Sequence, residues 1–171
     1  MMNDFQDPLV PILAEIDVVR ARQRFAPAAD PRPQLSRCLA LLFLLYAEEY
    51  LDDAPRGPEK TAAILDDFLD FLERLSTTSP SPTELSTAPL LEGWCAASID
   101  PTPRLFGRVT GHPRIREHAR TYTSPYFQVN PGQGWARTWS RYYRLGRYDR
   151  YFFGELMIDG VIPPGSELIE L

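Results

Sequence analysis

"GWARTWSRYYRLGR", residues 134–147, is the densest aromatic and cationic stretch of the chain. At the two-residue repeat of a β-strand, Trp135, Arg137, Trp139, Arg141 and Tyr143 point one way, and Ala136, Thr138, Ser140 and Tyr142 the other. One face thus carries both tryptophans and two arginines, so burying the rings brings cationic groups with them. Which way this face points governs both the fold around it and its use.

The surrounding sequence supports a sheet. "RLFGRVTG" (104–111) and "RTYTSPYFQV" (120–129) are rich in β-branched and aromatic residues, and "NPGQG" (130–134) has the composition of a hairpin turn. Pro125 predicts an edge position or a bulge for its strand. "YFFGELMI" (151–158) reads as a further strand or a short helix, and "DGVIPPGSELIEL" (159–171) as a turn with an apolar tail.

The first half is helical. Asp7 and Pro8 predict an N-cap and first helical residue, followed by Leu9, Ile12, Leu13, Ile16 and Val19 at three- and four-residue spacing to about Phe25. A second helix, from about Gln34 to Asp52, is apolar nearly all round through Leu35, Leu39, Leu42, Leu45 and Tyr46, which predicts a central position. After "APRGP" (54–58), Ala62, Leu65, Phe68, Leu69 and Leu72 form one stripe of a third helix. "STTSPSPTE" (76–84) reads as a linker, within which Ser81 and Glu84 have capping-box spacing and Pro82 opens a short helix to about Ala88. The expected fold class is α+β. A helical three-helix bundle occupies 1–76, a linker with a short helix 77–89, and a small β-rich module 90–171, the last a twisted antiparallel β-sheet or partly open barrel.

With 171 residues, 44% of them hydrophobic, the chain can bury a substantial core. Its net charge of −5 conceals an asymmetry: −9 over residues 1–100, +8 over 101–150 and −4 over 151–171. The basic part therefore meets either an external anion or the acids of its own chain. The apolar run "CLALLFLLYA" (38–47) is too short for a membrane span, and Met1–Asp7 carries acids and no base, unlike a signal peptide. Cys38 and Cys95 read as free cytosolic thiols, so a cytoplasmic protein is expected.

The runs "TELSTAPLLEGW" (83–94), "GRVTGHP" (107–113), "TSP" (123–125) and "GWARTWSRYYRLG" (134–146) resemble a small uncharacterised domain family seen in alphaproteobacteria. The resemblance covers roughly residues 83–147. It implies a module and a bacterial origin, and no mechanism, cofactor or catalytic residue.

Catalytic readings are weak. His112 and His118 have only Glu117 as a nearby carboxylate, short of the three or four ligands a zinc site needs. Cys95 lacks the local context of an activated nucleophile. Asp66 and Asp70 share a helical face of the kind that is usually solvated. No metal, cofactor or catalytic set is expected, and an enzyme ranks third.

For the aromatic and basic strand, one reading is intramolecular, with the tryptophans packed on the helices and Arg137 and Arg141 paired to acids of the third helix. Another is a protein partner with an acidic surface, since Trp, Tyr and Arg dominate interface hot spots. The alternative is single-stranded nucleic acid, held by phosphate contacts and base stacking. The expected function is a non-catalytic binding or regulatory protein that engages an anionic partner, a protein, through Arg137, Arg141, Tyr143, Arg144, Arg147 and Arg150. In that scheme Trp135 and Trp139 pack inward, and Tyr143, Arg144, Arg147 and Arg150 form the exposed, partner-facing end.

Overall fold

The computed structural model describes residues 9–26, 32–50, 58–99 and 102–171. The expected cap at Asp7 and Pro8 and most of the turn 54–58 lie outside them. The chain divides into a helical unit, 9–76, and a second unit beginning at Thr77. No described helix is long and apolar enough to cross a membrane.

The helical unit contains α1 (Leu9–Phe25), α2 (Arg37–Tyr50) and α3 (Pro58–Thr77). Ile16 and Val19 of α1, Leu39, Leu42 and Phe43 of α2, and Leu65, Phe68, Leu69 and Leu72 of α3 are buried, as their helical spacing predicts. Phe43 meets Phe68 edge-on at 5.3 Å, and Tyr46 packs on Phe68 and Phe71. α2 is not buried all round as its composition predicted, because Leu44 is 54% exposed. Ser36 caps α2 by accepting from the Leu39 N–H, while its own N–H and hydroxyl donate to Glu15 of α1 at 2.9 and 2.8 Å. Arg20 of α1 pairs with Asp70 and Glu73 of α3.

The second unit opens with α4 (Pro82–Thr87), whose Ser81–Glu84 capping box forms in full. There follow β1 (Leu90–Ile99), β2 (Thr102–Thr110), β3 (Ala119–Tyr122), β4 (Tyr126–Asn130), β5 (Trp135–Thr138), β6 (Tyr142–Leu145), α5 (Tyr151–Ile158) and β7 (Glu167–Ile169). The strand order is β3-β2-β1-β6-β5-β4, with β7 also paired to β1. The expected antiparallel sheet is instead mixed, because β1 runs parallel to β6 through Leu90↔Arg144 and Leu91↔Leu145.

β1 was not anticipated as a strand. Its residues are buried on both faces, which removes the alternation that marks a half-exposed strand. Leu91, Trp94 and Ala96 enter one core, whereas Cys95 and Ala97 face Phe152 and Leu156 of α5. A bulge between Glu92 and Cys95, with Gly93 at φ +57°, lets Leu91 and Trp94 share a side despite their odd spacing.

The stretch 120–129, expected as one strand, breaks at Pro125 into β3 and β4, which occupy opposite ends of the sheet. In a flat sheet those ends would lie about 24 Å apart. The residues from Tyr122 to Tyr126 span at most about 14 Å. The sheet must therefore curl. Leu105 and Val109 of β2 consequently join Tyr126 of β4, Ala136 of β5 and Tyr143 of β6 in one enclosed core. The curled sheet is not closed, and its open order leaves β3 and β4 as edges.

Candidate functional site

Residues 135–145 are a hairpin rather than a single strand. Thr138 donates its N–H to the Arg141 carbonyl at 2.9 Å, and its hydroxyl accepts from the Arg141 N–H at 3.2 Å. Trp139 and Ser140 form the tip. Neither is the glycine or asparagine that a two-residue turn favours. Non-local acceptors hold them: Trp139 N–H donates to the Pro125 carbonyl at 2.7 Å, and Ser140 N–H to Ser124 Oγ at 3.2 Å.

Across the hairpin Trp135 opposes Arg144, Ala136 opposes Tyr143, and Arg137 opposes Tyr142. Opposed residues share a face. The turn thus inverts the parity read from a continuous strand: Trp135 and Arg137 lie with Tyr142 and Arg144, while Tyr143 lies with Ala136. Trp135, 5% exposed, packs with Ala88, Leu85 and Tyr142 beneath α4. Trp139, 6% exposed, packs against Phe127 at 6.0 Å. Both tryptophans point inward as expected, but into different clusters. Tyr143, expected at the exposed end, is 3% exposed, because the parity change turns it into the core of the curled sheet.

The arginines divide. Arg150 pairs with Glu170 at 2.7 Å. Arg144 Nε donates to the Ala88 carbonyl at 3.0 Å, and the Arg147 N–H donates to Glu92. Arg144, Arg147 and Arg150 are exposed, as expected. Arg137 and Arg141 come together in a cleft of about 260 Å³ between α4 and the hairpin, with Glu84, Ala88, Ser140 and Tyr142. The Arg137 guanidinium carbon stands 4.8 Å over the Tyr142 ring. The Arg141 Nε is buried and has no hydrogen-bond partner among the described residues. The Glu84 carboxylate is held below its usual range, since the Ser81 N–H and hydroxyl donate to it, with Arg137 adding to the effect. Glu84, Ser140 and Tyr142 were not singled out in the sequence as site residues. The capping box located α4, but no local signal says that α4 lies over the hairpin.

A family model matches residues 61–157, from within α3 to within α5, and takes in the whole cleft. The chain belongs to DUF6634, a family of unknown function. The match extends the resemblance seen over 83–147 in both directions. No curated protein and no solved structure matches the chain.

Elsewhere in this DUF6634 protein, Cys95, His112, Glu117 and His118 all make contacts within the β unit. Cys95 is fully buried, and burial pushes its thiol up to about 12, far from a reactive thiolate. His118 sits at φ +59°, its N–H donating to the Val109 carbonyl. Glu117 accepts from the Gly111 N–H in the same loop. His112 stacks on Tyr143 with centroids 6.4 Å apart, and burial, then the charges of Arg141 and Arg114, lower its pKa. No group of three metal-ligating side chains occurs among the described residues. Of the acids of the third helix, Asp70 and Glu73 are engaged by Arg20 within the helical unit.

Proposed function

We propose that this DUF6634 protein is a non-catalytic binding or regulatory module of the cytoplasm that engages an acidic partner protein through the basic face of its β unit. The observation that supports this reading is the division of the hairpin. Trp135 and Trp139 are buried, while Arg137 and Arg141 line a surface cleft and Arg144 and Arg147 are exposed beside it. The face therefore offers guanidinium groups without an open aromatic platform. Carboxylates match planar guanidinium donors well. The N-terminal helices, taken as a three-helix bundle, supply the acidic counterpart of the chain's charge asymmetry.

A second reading, nucleic-acid binding by the same surface, draws on the +8 charge of residues 101–150. Buried tryptophans count against it, since sequence-tolerant single-strand binding relies on exposed rings for stacking. Fluorescence anisotropy with a labelled oligoglutamate peptide and a labelled oligothymidylate, each at low and physiological salt, separates the two readings. The expected result is saturable peptide binding, with the oligonucleotide weaker. Tight oligonucleotide binding that collapses as salt rises, with no peptide binding, would overturn the acidic-protein reading in favour of phosphate contacts.

A further inference from the structure

We infer that the cleft between α4 and the β5–β6 turn seats one carboxylate of an acidic peptide segment, held between the guanidinium groups of Arg137 and Arg141. This rests on the acidic-partner reading above and assigns that partner's chemistry to a place. Three features of the cleft lead to it.

The first is the supply of donors. At the hairpin tip the Trp139, Ser140 and Arg141 N–H groups already donate to Pro125, Ser124 and Thr138. Those three N–H groups are therefore taken. The charged donors that line the cleft are the two guanidiniums, neither of which has a hydrogen-bonded carboxylate among the described residues. The Arg141 Nε is buried with no hydrogen-bond partner among the described residues, so this guanidinium is under-satisfied within the fold.

The second is orientation. The Arg137 guanidinium is held over the Tyr142 ring, and that ring is anchored by its hydroxyl, which donates to the Thr78 carbonyl at 3.0 Å. A side chain already placed loses less freedom on binding.

The third is charge and size. Two arginines and the ionised Glu84 leave the cleft with a single positive charge. That balance suits one carboxylate, whereas a run of phosphates would meet repulsion from Glu84. A volume of about 260 Å³ lies below the usual small-molecule range of about 300–1,000 Å³ and accommodates a side chain.

The test uses the full chain and the labelled oligoglutamate peptide. Arg137→Gln and Arg141→Gln should each weaken binding about tenfold or more, the loss expected for a charge-assisted hydrogen bond. Glu84→Gln, which keeps the capping box, should tighten it about two- to fivefold by removing the competing charge. In the wild type, saturating peptide should raise the pKa of the His112 ring, read by NMR, because the seated carboxylate offsets the nearby Arg141 charge. In a folded Arg141→Gln protein that rise should vanish. If Arg141→Gln does not fold, Arg137→Gln and Glu84→Gln carry the same decision. The seat is wrong, and the acidic-partner reading stands, if the peptide binds but only Arg144→Gln with Arg147→Gln abolishes binding. Absence of any peptide binding by the wild type overturns the functional reading and the seat together.

Discussion

Arg137 and Tyr142 face each other across the β5–β6 hairpin, the guanidinium carbon 4.8 Å above the tyrosine ring. The same ring meets Trp135 edge-on at 6.0 Å, and its hydroxyl reaches the Thr78 carbonyl ahead of α4. Tyr142 thus joins hairpin, cleft and α4. Tyr142→Phe should cost about 1 kcal/mol, one net hydrogen bond. Tyr142→Ala should cost about 3–5 kcal/mol by emptying the Ala88–Trp135 cluster. Urea unfolding of both variants checks the difference. Equal losses would mean that the ring contributes no packing.

The carboxylate of Glu92 lies where a β-carbon on Gly146 would stand, and it accepts from the Arg147 N–H. Gly146→Ala should displace the exposed Glu92 side chain, with its bond to the Arg147 N–H, and destabilise the protein by about 1 kcal/mol or less. Most of that penalty should disappear in the background of Glu92→Ala, so the two changes should be non-additive in a double-mutant cycle. Simple additivity would show that the crowding is relieved some other way.

Leu42 of α2 and Leu69 of α3 are completely enclosed in the helical unit. Either one changed to alanine should cost about 2–5 kcal/mol, measured by chemical denaturation. Losses below about 1 kcal/mol at both positions would contradict their role as core residues.

Glu84 is held below its ordinary value of 4.5 chiefly by the Ser81 N–H, then by the Ser81 hydroxyl. A depressed carboxylate contributes stability fully above its unfolded pKa and loses it as pH falls through the folded one. The contribution should therefore be complete above about pH 4.5 and fade below it. Ser81→Ala removes the hydroxyl and should move the Glu84 midpoint, followed by carbon NMR, back towards 4.5. An unchanged midpoint would assign the depression to the Ser81 N–H and Arg137 without the hydroxyl.

Thr78, Ser79 and Ser81 are exposed in the segment between α3 and α4. Limited proteolysis should cut first between Ser76 and Pro82, with mass spectrometry locating the nick. First cleavage elsewhere among the described residues would deny this segment its role as a linker.

How much of this protein is legible in its residues follows from how local each feature is. The stripes of Leu39–Leu42 and Leu65–Leu72, and the capping box of Ser81 with Glu84, depend on neighbours three or four residues away. They are found where the spacing puts them, as is the turn at "NPGQG". The burial of Trp135 and Trp139 also follows from the residues themselves, since rings of that size are rarely left in water.

Tertiary structure decided the rest. The Trp139–Ser140 turn has neither glycine nor asparagine at its tip and is held by Pro125 and Ser124, brought alongside by the curl of the sheet, which accept its N–H groups. That turn shifts parity by one, sending Tyr143 into the core and setting Arg137 on Tyr142. β1 is likewise hidden, because a strand covered on both faces has no alternation to read and gains its parallel partner β6 from far along the chain. A period of two shows which side chains can share a face. Only the long-range hydrogen bonds that place the turn determine which of them do.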